Sequence, residues 1–331
     1  MNMMEQIPKM ETLTLTRDVV EHMAQEFLGH QQEFISNTEY EQIINQVSQD
    51  FENILVELET VTLEKKVVTY DKFKKSFLVN GELVTAGQII AARHLDHDIV
   101  LPKELDQSGL GKKLRKTYIQ KITQDQVCIQ LNHVLAKNLA DVYQSKDLFK
   151  AKAYEKIAER STTESVQEQI GVIAESVMQG FAEMVAVDRP DLGISVAPAN
   201  AYQDVAEKVD FIVTTKTKKR GAGIEVVDPL IEERHIGIQF TVNTSEKSRE
   251  HKHDQIEKAK ARGTDLDDIV YFSFDMKTLQ QAINAWEQSG KPLSGVWNKL
   301  SKQAQIEAMR GLFETLLSDE QEASLIKSIN A

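Results

Sequence analysis

Cysteine is nearly absent: Cys128 is the single one in 331 residues. One thiol excludes an internal disulfide framework and fits a reducing compartment. Its apolar neighbours, Val127 and Ile129, mark it as a buried inert thiol rather than a nucleophile. Proline and glycine are also sparse, at 6 and 15 residues, which argues against long flexible linkers. No uncharged apolar run approaches the ~20 residues a membrane span needs. The stretch before Val19 lacks the basic-then-apolar order of a secretory signal. A cytoplasmic protein with no membrane association is therefore expected. Positive charge is not in excess, since the chain carries −12. A protein that coats nucleic acid would be basic. An acidic body with a small basic groove still allows chemistry on a polyanion, with nonspecific binding that salt removes.

What is present is ordinary for a globular chain, with 41% hydrophobic and 27% charged residues and length enough for two domains. Apolar residues from Val19 to Leu58 recur at helical spacing, with a break near Ser36 and Thr38–Glu41 as a candidate capping box. Antiparallel helices, or a helical arm forming a homodimer, both fit this pattern. Ser76–Val79, Asn80-Gly81 and Glu82–Val84 predict a β-hairpin, because Asn-Gly accepts the positive φ of a type I′ turn. Helices are expected over 85–93, 112–144 and 145–158. His94 and His97 invite a zinc reading, but zinc-type partners are missing nearby, and a polar helix end is the simpler account. The second half alternates: helix over 162–186 with a cap at Ser161–Glu164, strands over 194–197, 208–214 and 235–242, helix over 246–262, strand over 268–274, helices over 276–289 and 302–327. Ile224–Val227 is a candidate extra strand. The fold class is α/β within an α+β whole, divided into a mainly helical domain (1–158) and an α/β domain (159–331).

Three stretches of the second half carry chemistry. Gly171-Val-Ile-Ala-Glu175 puts a carboxylate on an amphipathic helix. Lys208-Val-Asp210-Phe-Ile-Val213 puts one at the entry to an apolar strand, where burial is costly unless the charge is paired or metal-bound. In His235-Ile-Gly-Ile-Gln239-Phe-Thr241, alternation sends Gln239 and Thr241 to one face and Ile238 and Phe240 to the other. If the two strands are neighbours, Gln239 presents a carbonyl beside Asp210. Carboxylate and carbonyl oxygens are the hard donors Mg²⁺ or Mn²⁺ prefers. A cation held there lowers the pKa of bound water and offsets charge on a phosphodiester. Each residue also has a plain reading: Glu175 as a helix-surface acid, Asp210 as a strand-end partner of Lys208 or Arg234, Gln239 as a cross-strand hydrogen bonder. His235 reads as a strand-edge residue. His251 and His253, two apart on a helix, point to different faces.

Residues 165–275 resemble the PD-(D/E)xK, or restriction-endonuclease-like, nuclease superfamily. That family orders its core as helix, three-stranded meander, helix, strand. Its helix glutamate is matched by Glu175 after Gly171, and its metal-binding aspartate by Asp210. Its strand motif of Glu or Gln, any residue, then Lys reads here Gln239-Phe240-Thr241. Asp204 matches an extra acid found upstream in some members. The resemblance implies a restriction-endonuclease-like mixed sheet flanked by helices. It also implies Mg²⁺- or Mn²⁺-dependent hydrolysis of DNA, or of RNA, with Glu175, Asp210 and Gln239 as ligands. Thr241 departs from the pattern, because threonine supplies no positive charge. Either a lysine has moved, with Lys252 on the next helix first and Lys247 or Lys216 behind it, or the domain binds without cleaving. Twelve Lys/Arg against ten Asp/Glu make residues 205–262 locally basic. Lys216, Lys218, Lys219 and Arg220, expected in a hairpin loop, are candidate phosphate contacts.

Overall fold

The computed structural model describes residues 8–59, 65–96, 98–162, 170–218, 231–242 and 245–330. In chain order the elements are α1 (Pro8–Leu28), α2 (Asn37–Glu59), β1 (Lys66–Val67), β2 (Thr69–Asp71), β3 (Ser76–Val79), β4 (Glu82–Val84), α3 (Ala86–Ala92), β5 (Ile99–Val100), α4 (Gly109–Tyr143), α5 (Leu148–Thr162) and α6 (Ile170–Asp188). There follow β6 (Ile194–Pro198), β7 (Phe211–Lys218), β8 (Ile231–Thr241), α7 (Glu246–Arg262), β9 (Asp268–Ser273), α8 (Met276–Gln288), α9 (Lys302–Phe313) and α10 (Asp319–Asn330). The chain is α+β. It forms two compact units, 1–80 with 98–166 and 200–206, and 81–97 with 167–199 and 207–331. The expected boundary at 158/159 lies near the 166/167 division, but each unit also takes in a segment of the other half.

The first unit is a helical bundle. Val20, Ala24 and Leu28 of α1 and Ile44 and Val47 of α2 bury against Val127, Leu131, Leu135 and Leu139 of α4 and Tyr154 of α5. Two side-chain amides fasten loop backbone into this core: Asn138 Nδ2 donates to the Phe34 carbonyl at 2.8 Å, and Asn200 Nδ2 to the Phe27 carbonyl at 3.0 Å. The helical break comes where expected, but the capping box is Ser36–Glu39 rather than Thr38–Glu41. Ser36 Oγ accepts from the Glu39 amide, and Glu39 Oε2 accepts from the Ser36 amide. Ile35 takes the extended conformation that stops the preceding helical turn, so the cap falls on the next residue.

The second unit is built on a four-stranded sheet, order β6-β7-β8-β9. The pairs β6/β7 and β7/β8 are antiparallel, and β8/β9 is parallel, with α7 as the crossover. One face is apolar: Val196, Phe211, Val213, Ile236, Ile238, Phe240 and Phe272 pack against α6, α8, α9 and α10. Gly311 of α9 lets this layer close, since a Cβ there would lie 2.0 Å from the Phe272 ring. The other face is covered by α7, whose Ile256 and Ala259 sit on Val209, Leu266 and Ile269. The C-terminal segment is two helices rather than the single one expected, because Ser318 starts a new helix and its amide donates to Gln321 Oε1. Ser161 and Thr162 end α5 instead of capping α6, and Glu164 lies outside the described residues. The candidate strand Ile224–Val227 also lies outside them. Asn80 and Gly81 take φ of 52° and 87°, the paired positive values of the expected turn.

The α3–α6 crossing is close because two glycines line it. A Cβ on Gly87 would lie 2.4 Å from the Met184 carbonyl, and one on Gly180 would lie 3.2 Å from the Ala91 carbonyl. A buried ion cluster sits beside it. Arg93 Nη2 reaches Glu183 Oε1 and Oε2 at 3.1 and 2.9 Å, and His94 Nε2 lies 3.0 Å from Oε2. Glu183 is 2% exposed and Arg93 5%. His94 is therefore a partner of a buried carboxylate at a helix end; His97 lies outside the described residues. Removing one member of a buried pair strands the other without water. Glu183→Ala is expected to cost about 3–5 kcal/mol. Arg93→Met combined with Glu183→Leu is expected to cost less, and urea unfolding of the two variants checks the order.

Candidate functional site

The side chain of Asp210 begins the β7/β8 ladder. The first residue of β7, Phe211, pairs with Ile238, so Asp210 stands opposite Gln239. Asp210 N donates to the Ile238 carbonyl at 2.8 Å. Its Oδ2 accepts the Phe240 amide at 2.5 Å and Gln239 Nε2 at 2.8 Å. The carboxylate thus takes the place of a ladder carbonyl. The chain reaches it through a strained turn, with Lys208 at φ 65°, a region rarely used outside glycine.

Parity then sorts the side chains. Ile238 and Phe240 enter the apolar core, while Asp210, Gln239 and Thr241 face α7. Gln239 is 3% exposed. The parallel register adds Tyr271 opposite Gln239 and Ser273 opposite Thr241. Over this patch lies the first half of α7. The His253 ring stands 4.9 Å from that of Tyr271. Lys252 is half-buried and precedes Ile256 and Ala259 by one and two helical turns, so it lies on the sheet-facing stripe. Burial raises the Tyr271 phenol above its ordinary pKa, with Arg249 and the Ser273 hydroxyl pulling the other way. Tyr271, Ser273 and Arg249 escaped the sequence reading. The strand 268–274 is apolar on both faces, which hides its alternation.

Glu175 lies on α6, on the opposite face of the sheet. A helix rises about 1.5 Å per residue, so Asp188 back to Glu175 covers about 20 Å, close to the ~17 Å of β6. Pro198, the last residue of β6, pairs with Phe211 next to Asp210. Among the described residues no three His, Cys, Asp or Glu side chains cluster as a metal site. The expected ligand set holds only two of those residue types, since its third member is Gln239. Asp204 lies exposed in the π-helical turn Gln203–Glu207, in the first compact unit.

The chain matches no known family model, no curated protein and no solved structure. Its site is therefore read from its own residues.

The basic residues separate. Lys216 and Lys218 belong to β7 rather than to a loop. Lys216 Nζ reaches Glu233 Oε2, its register partner, at 3.2 Å. Lys219 and Arg220 lie outside the described residues, as does the side chain of Lys218. His235 is not at a strand edge: it lies mid-way along the central strand β8, paired with Thr214 of β7, its Nδ1 3.0 Å from the Thr214 hydroxyl. Lys247 is exposed near the start of α7.

Glu207, three residues before Asp210, is 6% exposed. Burial, aided by the Asp265 charge, raises its carboxyl pKa, while the Thr264 hydroxyl and Arg262 lower it. A folded pKa above the ordinary 4.5 favours the neutral form. The stability linked to this group is complete below the unfolded value and is lost as pH rises through the folded one. Glu207→Gln is thus expected to melt higher than wild type at neutral pH. The difference should vanish below about pH 4, where both side chains are neutral. Thermal unfolding at the two pH values reads the effect, and an offset independent of pH contradicts it.

Proposed function

We propose that the second compact unit is a divalent-metal-dependent nuclease domain of PD-(D/E)xK type that acts on DNA. The observation that carries this reading is the contact of Asp210 with Gln239 across neighbouring strands, at the end of the two central strands of a sheet reached in the order helix, antiparallel meander, helix, parallel strand. Asp210 and Gln239 offer the carboxylate and amide oxygens that Mg²⁺ or Mn²⁺ prefers, and Glu175, on the opposite face, would join them only by reaching round the end of the sheet. A cation held by them supplies an activated water and offsets phosphate charge. Asp210 serves as the anchoring ligand, its carboxylate ordered by the Phe240 and Gln239 N–H groups. Gln239 holds that carboxylate in place and completes the donor set. Lys252, on the stripe of α7 that faces the sheet, carries the positive charge that Thr241 lacks. Arg249 lies close enough to influence Tyr271 and adds charge for a phosphate. The single buried cysteine fits work in the reducing cytoplasm.

A second reading, a nuclease-derived domain that binds without cleaving, is favoured by one detail. Gln239 turns its amide nitrogen, not its carbonyl, toward Asp210. Incubation of the full chain with supercoiled and linear DNA and Mn²⁺ separates the two. Cleavage is expected with wild type, none with Asp210→Ala, and a rate lower by about 10²–10⁴ with Lys252→Ala. Cleavage unchanged in Asp210→Ala removes the assignment. Absence of Mn²⁺ binding by calorimetry at millimolar metal selects the non-catalytic reading.

A further inference from the structure

Away from the α7 face, the same unit carries a cleft of about 620 Å³ lined by residues of α3, α6, α10 and the segment 297–305. That volume lies within the range of small-molecule sites. Its apolar wall includes Phe181 and Trp297, stacked at 3.4 Å between ring centroids, with Val185, Leu300, Leu325 and Ile329. Three charged side chains also line it: Asp188, Arg189 and Lys302. The two cations are already engaged. Arg189 forks onto Asp191 at 2.9 and 2.8 Å and reaches Ser324, and Lys302 donates to the Ile329 carbonyl near the end of α10.

Asp188 differs. Oδ1 accepts the Gly87 amide at 2.8 Å and Oδ2 the Thr85 hydroxyl at 2.6 Å, both from neutral groups. Among the described residues no ammonium or guanidinium pairs with it. The side chain is exposed to the cleft, and the protein packed round its carboxyl raises its pKa despite both hydrogen bonds. A fixed carboxylate beside an apolar wall with an aromatic stack is the complement of an ammonium group on a hydrophobic body. The Lys302 ammonium keeps its charge but is turned to the Ile329 carbonyl, so the preference of the cleft for a cation rests on Asp188 beside the apolar wall.

We propose that this cleft is a binding site for a small organic cation, a primary amine bearing an aromatic or branched aliphatic group. The ammonium pairs with Asp188 and the apolar group lies along Trp297, Leu325 and Ile329. This proposal does not rest on the nuclease reading.

The test uses three probes of one shape titrated into the full chain: phenethylamine, 2-phenylethanol and 3-phenylpropionate. For probes of this size the amine is expected to bind with a dissociation constant on the order of 1–10 mM. It should bind about tenfold more tightly than the alcohol or the acid. Asp188→Asn should erase that preference. Ser328→Trp, an exposed substitution that fills the cleft mouth, should abolish amine binding with the melting temperature unchanged. Equal binding of amine and acid, amine binding that survives Ser328→Trp, or no amine binding at about 10 mM overturns the proposal. If Asp188→Asn fails to fold, the probe series on wild type and the Ser328→Trp variant still decide.

Discussion

The arrangement of the second unit depends on one hydrogen-bonded carboxylate. Asp210 precedes β7, accepts the Phe240 amide and Gln239 Nε2 on one oxygen, and so extends the β7/β8 ladder by a side chain. A slip of one residue between these strands would send Gln239 into the apolar core and Ile238 under α7. The cost of burying an amide without partners makes that slip unfavourable. One contact therefore fixes register, sorts the two faces, and assembles the polar patch of Asp210, Gln239, Thr241, Tyr271 and Ser273. The left-handed Lys208 just before it is the local expense of placing the carboxylate there.

The same unit holds a more deeply buried carboxylate, satisfied differently. Glu183 is bound by a guanidinium and a histidine at the α3–α6 crossing. Asp210 receives two Oδ2 bonds from the Phe240 and Gln239 N–H groups, which orient the carboxylate. The Glu183 cluster suits a structural role, because its geometry closes a helix crossing already made tight by Gly87 and Gly180. The bonds on Asp210 suit a carboxylate that is held still at the end of the ladder.

Much of the scaffold is legible in the sequence where local signals are unambiguous. The polar run 246–262, bounded by Ser245 and Gly263, becomes α7 at those limits. Asn80-Gly81 supplies its turn, and the pairing of Asp210 with Gln239 follows from strand parity once β7 and β8 adjoin. Other features are not legible because two local readings compete. Ser36-x-x-Glu39 and Thr38-x-x-Glu41 fit the same capping pattern, and only the extended Ile35 selects the first. The helices α9 and α10 share one continuing apolar period, and the break at Ser318 depends on a cap rather than on hydropathy. Lys216 sits among charged residues that look like a loop tip, yet it pairs with Glu233 across a ladder. The segments 81–97 and 200–206 join units remote in sequence, which no local pattern encodes.

On the proposed nuclease reading, a threonine at position 241 changes where positive charge would come from. On β8 a lysine at 241 would share the face of Gln239 by alternation. Thr241 leaves that face with a short side chain, and α7 crosses above it. Lys252 reaches the same layer from the helix side, because it continues the stripe of Ile256 and Ala259 that α7 presses onto the sheet. Coulomb attraction depends on the distance between charges and on the medium between them, not on which element carries the lysine. Lys252 is half-buried on α7, and a charge set against protein is less screened than one on an exposed loop. Among the candidate substitutes, Lys216 is paired with Glu233 and Lys247 is exposed, which leaves Lys252 as the side chain whose placement meets the electrostatic requirement of the proposed chemistry.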